Sequence, residues 1–372
     1  MPIIVISIWR GLYKFIFLHP SATVLLLRTD PLKPDADVIR FAAEVLKRGG
    51  IVAAPTETVY GLFTHAYSDG GCAKVFKAKE RPPDNPLIVH VDSVEMAAQI
   101  AYIPEEIVDV LRRIWPGPIT LVMKSRGAVS RCVTAGLDTV AVRAPAHPIP
   151  LAIIKELEAP IAGPSANKAG RPSPTTAEHV VEDLNGEVDV IIDGGPTFFG
   201  VESTIIDVTR KPPILLRPGP FTVEELEKYF GPVEIPPVAR GLIETDVALA
   251  PGMKYKHYAP NTPLVIVHFD LSLAVETLRS KGLKVAVLCA TGRCTNADVV
   301  IKMGDDLYEV AKNLYRSLRE LDRFSVDIGV VPAVEETGIG LAIMNRLRKA
   351  SGHREAFNLG QLLKYGLAQP VF

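Results

Sequence analysis

The chain has 372 residues, 48% hydrophobic and 22% charged, with 41 basic side chains against 42 acidic ones and a formal charge of −1. That is the make-up of an ordinary globular protein, long enough for two domains at roughly 100–200 residues each. The charge balance excludes a protein whose whole surface grips nucleic acid or anionic lipid, though a basic cavity remains possible.

Residues 3–6 and 15–18 are apolar, with Arg10 and Lys14 between them. Neither run is long enough to span a bilayer as a helix, and no small-residue cleavage site marks a secretory signal. Residues 1–21 read best as a loosely docked extension or the product of a start codon placed too far upstream, with an amphipathic membrane anchor as the rival. Residues 35–48 set Val38, Phe41, Ala42, Val45 and Leu46 at helical spacing, closed by Gly49 and Gly50. Strands are predicted over 51–54, 87–91, 119–123, 139–143, 188–192, 203–208 and 214–216, and helices over 105–114 and 175–184. Dense glycine and proline between them give loops of fixed shape, as a preorganised site needs.

Residues 231–262 break the pattern with Pro232, Pro236, Pro237, Pro251 and Pro260, the mark of a semi-rigid connector. Its run over 251–260 holds Lys254, Tyr255, Lys256, His257 and Tyr258, more side-chain chemistry than a spacer requires. Docking onto a domain is the plain explanation. From 263 onward, strands over 264–269, 285–289, 299–301 and 328–331 alternate with helices over 271–280, 307–324 and 340–350. Such alternation predicts a small parallel sheet covered on both faces. The four cysteines, Cys72, Cys132, Cys289 and Cys294, form no Cys-x-x-Cys pair. They read as buried small hydrophobes suited to a reducing cytoplasm, with a Cys289–Cys294 bridge as the alternative.

Five segments carry candidate chemistry. The run Pro55-Thr56-Glu57-Thr58-Val59-Tyr60-Gly61 follows the first predicted strand, where open α/β sheets bind ligands; Glu57 could instead cap the next turn. Lys79 and Arg81 precede the turn Pro82-Pro83-Asp84-Asn85 and, if extended there, share a face that suits a triphosphate. A solvated surface pair is the ordinary alternative, and His90 in the following strand would ordinarily be structural. Arg143 closes the strand that Thr139 opens. The loop over 163–175 offers Ser165, Asn167, Lys168, Arg171 and Ser173 at a helix start, where backbone amides and the dipole favour an anion; Ser173 or Thr175 could simply cap that helix. Gly200 to Thr204 and Arg217 flank the last two strands. No nucleophile triad or metal-ligand cluster is legible, so the set suits binding and charge stabilisation rather than covalent catalysis.

These five segments in this order resemble the YrdC-like threonylcarbamoyl-AMP synthase family, and the proline-rich run and second domain resemble its long form. The resemblance implies an N-terminal YrdC-like α/β domain with a twisted mixed sheet over 22–230, a linker or lid over 231–262 and a smaller Rossmann-like parallel α/β domain over 263–372. It implies an L-threonylcarbamoyladenylate synthase using ATP with Mg2+, L-threonine and bicarbonate. The product would pass to a tRNA threonylcarbamoyltransferase complex that modifies the adenosine beside the anticodon, with weak tRNA contact at most, in the cytoplasm and without a membrane. Lys79 and Arg81 match the catalytic cations; they, with Asn85, Thr139, Ser165, Asn167, Ser173 and Arg217, match ATP contacts. Thr58, His90, Arg143 and Ser203 match positions that hold threonine. Tyr255 matches a linker residue closing over the nucleotide, with Tyr258 its rival. Competing readings are a double-stranded-RNA-binding protein without turnover, a hydrogenase-maturation carbamoyltransferase, and a structural subunit. The neutral charge argues against the first, and the missing zinc motifs against the second.

Overall fold

A computed structural model describes residues 24–243 and 258–366, together with the backbone course of 4–9 and 12–17. In the first domain the strands are β1 Ile4–Trp9, β2 Leu12–Phe17, β3 Leu25–Arg28, β4 Val52–Ala54, β5 Gly61–His65, β6 Ile88–His90, β7 Ala101–Tyr102, β8 Ile119–Ser125, β9 Thr139–Arg143, β10 Ile161–Gly163, β11 Val190–Asp193, β12 Thr204–Asp207 and β13 Ile214–Arg217. Its helices are α1 Ala36–Lys47, α2 Asp69–Lys79, α3 Val94–Ile100, α4 Glu105–Ile114, α5 Pro148–Leu157, α6 Ala177–Leu184 and α7 Val223–Phe230. The second domain runs β14 Leu264–Val267, α8 Leu271–Ser280, β15 Val285–Ala290, β16 Val299–Gly304, α9 Leu307–Leu321, β17 Ile328–Pro332, α10 Gly340–Ser351, β18 Glu355–Ala356 and α11 Leu359–Gly366.

The first sheet is mixed, in the order β13-β12-β8-β9-β6-β10-β5-β4-β11-β3-β1-β2, with β7 paired to β8. Side chains alternate across a strand, so consecutive residues enter two different cores. Ala53 and Ile191 join one with α2, α3, α4 and α6, while Val52, Ala54, Val190 and Ile192 join another with α1 and α5. Helix α1 is capped by Asp35, whose carboxylate accepts from the amides of Asp37 and Val38. Its buried stripe is Val38, Ile39, Ala42, Ala43 and Leu46; Phe41, expected on that face, is 45% exposed.

Within the first 21 residues, β1 and β2 form an antiparallel hairpin, and β1 pairs in parallel with β3, extending the sheet at that edge. Among the described residues no helix is long and apolar enough to cross a membrane. The cysteines are paired rather than free: Cys72 is bonded to Cys132, which departs from expectation, and Cys289 to Cys294, as the alternative reading had it. Helix α2 and the turn between β8 and β9 bring the first pair together across 60 residues, a proximity that linear spacing does not reveal.

The second sheet, β16-β15-β17-β14-β18, is wholly parallel. Val265, Val267, Val285 and Val287 pack under α8 and α11, whereas Ile266, Ala286 and Leu288 pack under α9 and α10. The latter cluster also takes in Val59 and Val201 of the first domain, so α9 and α10 serve two neighbours.

Candidate active site

Strand ends and loops of the first sheet converge on a cleft that is partly open to solvent. Its lining includes Thr58, Lys79, Arg81, Asn85, His90, Arg143, Ser165, Asn167, Ser203 and Arg217. The cations foreseen for a triphosphate thus share one concavity.

Lys79 is the last residue of α2, and Glu80 turns the chain with a left-handed φ of 53°. The two cations therefore reach the cleft through a helix end, not along an extended segment as expected. Lys79 Nζ donates to the carbonyls of Ser165 and Asn167 and to Asn167 Oδ1. Burial and the neighbouring Arg81 pull its pKa well down, yet three acceptors around Nζ match the three donors of an ammonium. Lys79 thus knits the 163–175 loop to α2. Arg81 donates to the carbonyls of Asn85 and Pro86, at 3.3 Å each from Nη2. Asn85 is buried, and neither amide atom has a hydrogen-bond partner among the described residues.

A second polar group lies around Arg143. Strands β6 and β9 are in parallel register, setting His90 beside Arg143. Arg143 Nη1 donates to Thr58 Oγ1 at 3.0 Å, Nε donates to the Gly117 carbonyl at 3.3 Å, and Nη2 forms an ion pair with Glu57 at 2.5 Å. Glu57 therefore does not cap a turn. Thr56 Oγ1 donates to the Val59 carbonyl, which leaves Thr58 as donor in the 2.8 Å contact between their hydroxyls. Burial, with help from Arg143, lowers the His90 pKa to about 3, so its imidazole is neutral at physiological pH. Its Nδ1 lies 3.2 Å from the Ile88 carbonyl; that contact assigns the proton to Nδ1 and leaves Nε2 as an acceptor.

Ser203 Oγ sits 2.8 Å from Thr120 Oγ1 and accepts from Arg217 Nη2 at 3.1 Å, while Arg217 Nε donates to the Ser203 carbonyl at 3.0 Å. Between them and the second domain lies Glu202, which also lines the cleft. Burial opposes its ionisation, but Arg346 and Arg217 outweigh that and hold its pKa at about 2. Ser173 is spent on Glu202 Oε1, at 2.5 Å. The cap of α6 is Thr176, and Thr175 faces His179, so neither Ser173 nor Thr175 caps that helix. Tyr258 is buried and lines the cleft, while the Ala259 amide donates to the Gly170 carbonyl at 2.9 Å. Tyr255 lies outside the described residues.

The family model described as "Telomere recombination" matches residues 44–219, and the one described as "Threonylcarbamoyl-AMP synthase, C-terminal domain" matches 221–352. The Pyrococcus abyssi threonylcarbamoyl-AMP synthase is 48% identical over 85% of this chain and 94% of its own length. That of Bacillus subtilis is 43% identical over 88% and 96%. The chain belongs to the threonylcarbamoyl-AMP synthase family. The crystal structure of Pyrococcus abyssi Sua5 complexed with L-threonine matches with a TM-score of 0.84 at 46% identity, covering 90% of this chain and 99% of that one.

For a threonylcarbamoyl-AMP synthase, the sites read from sequence are largely brought together. Two are not at the cleft wall: Thr139 opens β9, opposite the end that carries Arg143, and Ser173 lies behind Glu202; neither is among the lining residues. Sequence reasoning gave no role to Glu202 and none to Tyr315 or Arg346, which reach it from α9 and α10. Glu202 sat inside a run already singled out, so a lone acid among small residues was the available signal. The two helix residues had none, because they fall inside ordinary amphipathic helices.

Proposed function

We propose that this chain forms L-threonylcarbamoyladenylate and pyrophosphate from L-threonine, bicarbonate and ATP. The observation that carries this is Asn85, a buried amide with no partner among the described residues, set among Lys79, Arg81 and Arg217 in one cleft. Buried polar atoms are nearly always satisfied, so a polar ligand belongs there. Threonine fits the neighbouring group: Arg143 and Ser203 offer donors for a carboxylate, Thr58 steadies Arg143 by accepting from its Nη1, and the bare Nε2 of His90 offers an acceptor for a hydroxyl. In this reading threonine's amine takes up carbon dioxide from bicarbonate. The resulting carbamate oxygen attacks the α-phosphorus, and the bond to the β-phosphate oxygen breaks to release pyrophosphate. Arg81 and Arg217 stabilise charge on the phosphates as guanidinium forks. Lys79 acts by holding the Ser165–Asn167 loop, Ser173 by steadying Glu202, and Thr139 receives no contact.

Magnesium would enter with ATP. Among the described residues no three His, Cys, Asp or Glu side chains converge, and Glu202 at the cleft and Glu57 behind Arg143 are already committed to arginines. Phosphate oxygens and water would hold the ion, as is usual for Mg2+ with nucleotides. The product is a labile mixed anhydride, so a separate tRNA threonylcarbamoyltransferase complex must consume it promptly, with tRNA contact here weak at most. We place the protein in the cytoplasm, where such a complex would receive the product.

The test is full-length protein with ATP, Mg2+, threonine and bicarbonate, read by pyrophosphate release and by mass spectrometry of the nucleotide product. Threonylcarbamoyl-AMP is expected, and it should disappear when bicarbonate is withheld. Turnover with another amino acid but not with threonine would overturn the assignment.

A further inference from the structure

The polar grip of the second domain on the cleft centres on one carboxylate. Glu202 Oε1 accepts from Ser173 of the first domain. The Tyr315 hydroxyl, from α9, lies 3.0 and 2.8 Å from Oε1 and Oε2, and Arg346 Nε, from α10, donates to Oε2 at 3.1 Å. All three side chains that grip Glu202 are buried. Arg346 has a second arm, Nη1, which donates to the Pro218 carbonyl at 2.7 Å. Glu202 directly precedes Ser203, and Pro218 directly follows Arg217. One guanidinium thus clamps both backbone segments whose side chains, Ser203 and Arg217, bond each other at the cleft wall.

The surroundings tie the same helices to the cleft. The Tyr258 ring packs against that of Tyr315 at 5.2 Å, and the Arg346 guanidinium lies 5.8 Å from the Tyr258 ring centre. Next to Arg346, Asn345 Nδ2 donates to the Ala239 carbonyl of the linker at 2.9 Å. Gly200 has φ +74°, and a Cβ there would lie 2.3 Å from the Lys312 carbonyl of α9; the loop bearing Glu202 can sit this close only without a side chain at 200. Simple adhesion between domains does not call for this arrangement, since well-packed apolar residues often replace a buried ion pair without loss of stability.

We propose that Arg346 and Tyr315 are positioning residues for the adenylate-forming cleft, holding Glu202 and the Pro218 carbonyl so that Ser203 and Arg217 meet the substrates in a fixed geometry. The second domain is then a working part of the site. This rests on the assignment of Ser203 to threonine.

Three single variants of the full chain test it: Tyr315→Phe, which removes only a hydroxyl; Arg346→Lys, which keeps the charge but loses the two-armed clamp; and Ser203→Ala. Pyrophosphate release is measured with threonine and ATP varied in turn, and thermal unfolding is followed in parallel. Tyr315→Phe and Arg346→Lys are each expected to lower kcat/KM for threonine by about tenfold or more, the effect of losing a charged hydrogen bond, while the folded fraction stays intact. Tyr315→Phe combined with Glu202→Gln should cost little more than the worse single change, because both act through one carboxylate. Wild-type kcat and KM in folded Tyr315→Phe protein, even with a lowered Tm, would overturn the proposal and leave the contacts as adhesion. Should Arg346→Lys fail to fold, Tyr315→Phe decides alone. If Ser203→Ala leaves the threonine KM unchanged, the threonine assignment fails and takes the inference with it. If Ser203→Ala raises that KM while the other two variants are silent, only the inference fails.

Discussion

Asn85 shows how a single residue can be set against the stability of its own fold. Its amide is buried and has no partner among the described residues, an arrangement that costs roughly 1–3 kcal/mol in the absence of ligand. Asn85→Leu should therefore leave the unliganded protein as stable or more stable in denaturant titration, while raising the KM for ATP about tenfold or more through the lost polar contact. An unchanged KM would show that the amide does not meet the nucleotide. Its identity as a candidate was legible because it stood in a proline turn four residues past a predicted cation face. Arg143 was legible too, as a charge closing an apolar strand. Its partner was not: Glu57 and Arg143 are 86 positions apart in the chain, and only the parallel register of β6 with β9 and the turn after β4 bring the carboxylate to the guanidinium.

At the scale of elements, periodicity found what was long and amphipathic. Helix α1 lies within a residue of its prediction at each end, because an Asp cap and a Gly–Gly stop bracket a clean apolar stripe. Strand β10 has three residues, too few for a period to show. Helix α2 begins Asp69-Gly70-Gly71, and two glycines in the first turn mask a helix that tertiary contacts secure. One of those contacts is the Cys72–Cys132 bond, which spans 60 residues against 5 for Cys289–Cys294. By loop-closure entropy the longer bridge is worth about 4 kcal/mol and the shorter about 2. Cys72→Ser/Cys132→Ser should thus lower Tm clearly more than Cys289→Ser/Cys294→Ser, as scanning calorimetry would show. Equal losses would mean that the long bridge does not constrain the unfolded chain.

For the whole molecule, acid is the natural probe. His90 and His179 both have pKa values lowered to about 3, by burial first and by Arg143 and Arg319, respectively, as the largest neighbouring charges. Unfolding restores the ordinary value near 6.5, so the unfolded chain binds more protons. Their contribution is complete above pH 6.5 and falls as pH drops toward 3, by about 1.4 kcal/mol per pH unit for each. Urea unfolding at pH 7, 6 and 5 should trace that decline, and the double variant His90→Asn/His179→Asn should flatten it; an equally steep slope in the variant would remove these residues as the cause. The two-domain division was legible from the switch to regular strand–helix alternation. The junction was not, because α9 and α10 are buried on two sides and their apolar periods do not say which side meets which neighbour. That junction closes around Gly200, a position holding no functional group whatever. Hybrids that graft the second half of a distant homologue onto this first half will succeed or fail on backbone clearance there, before any chemistry is tested.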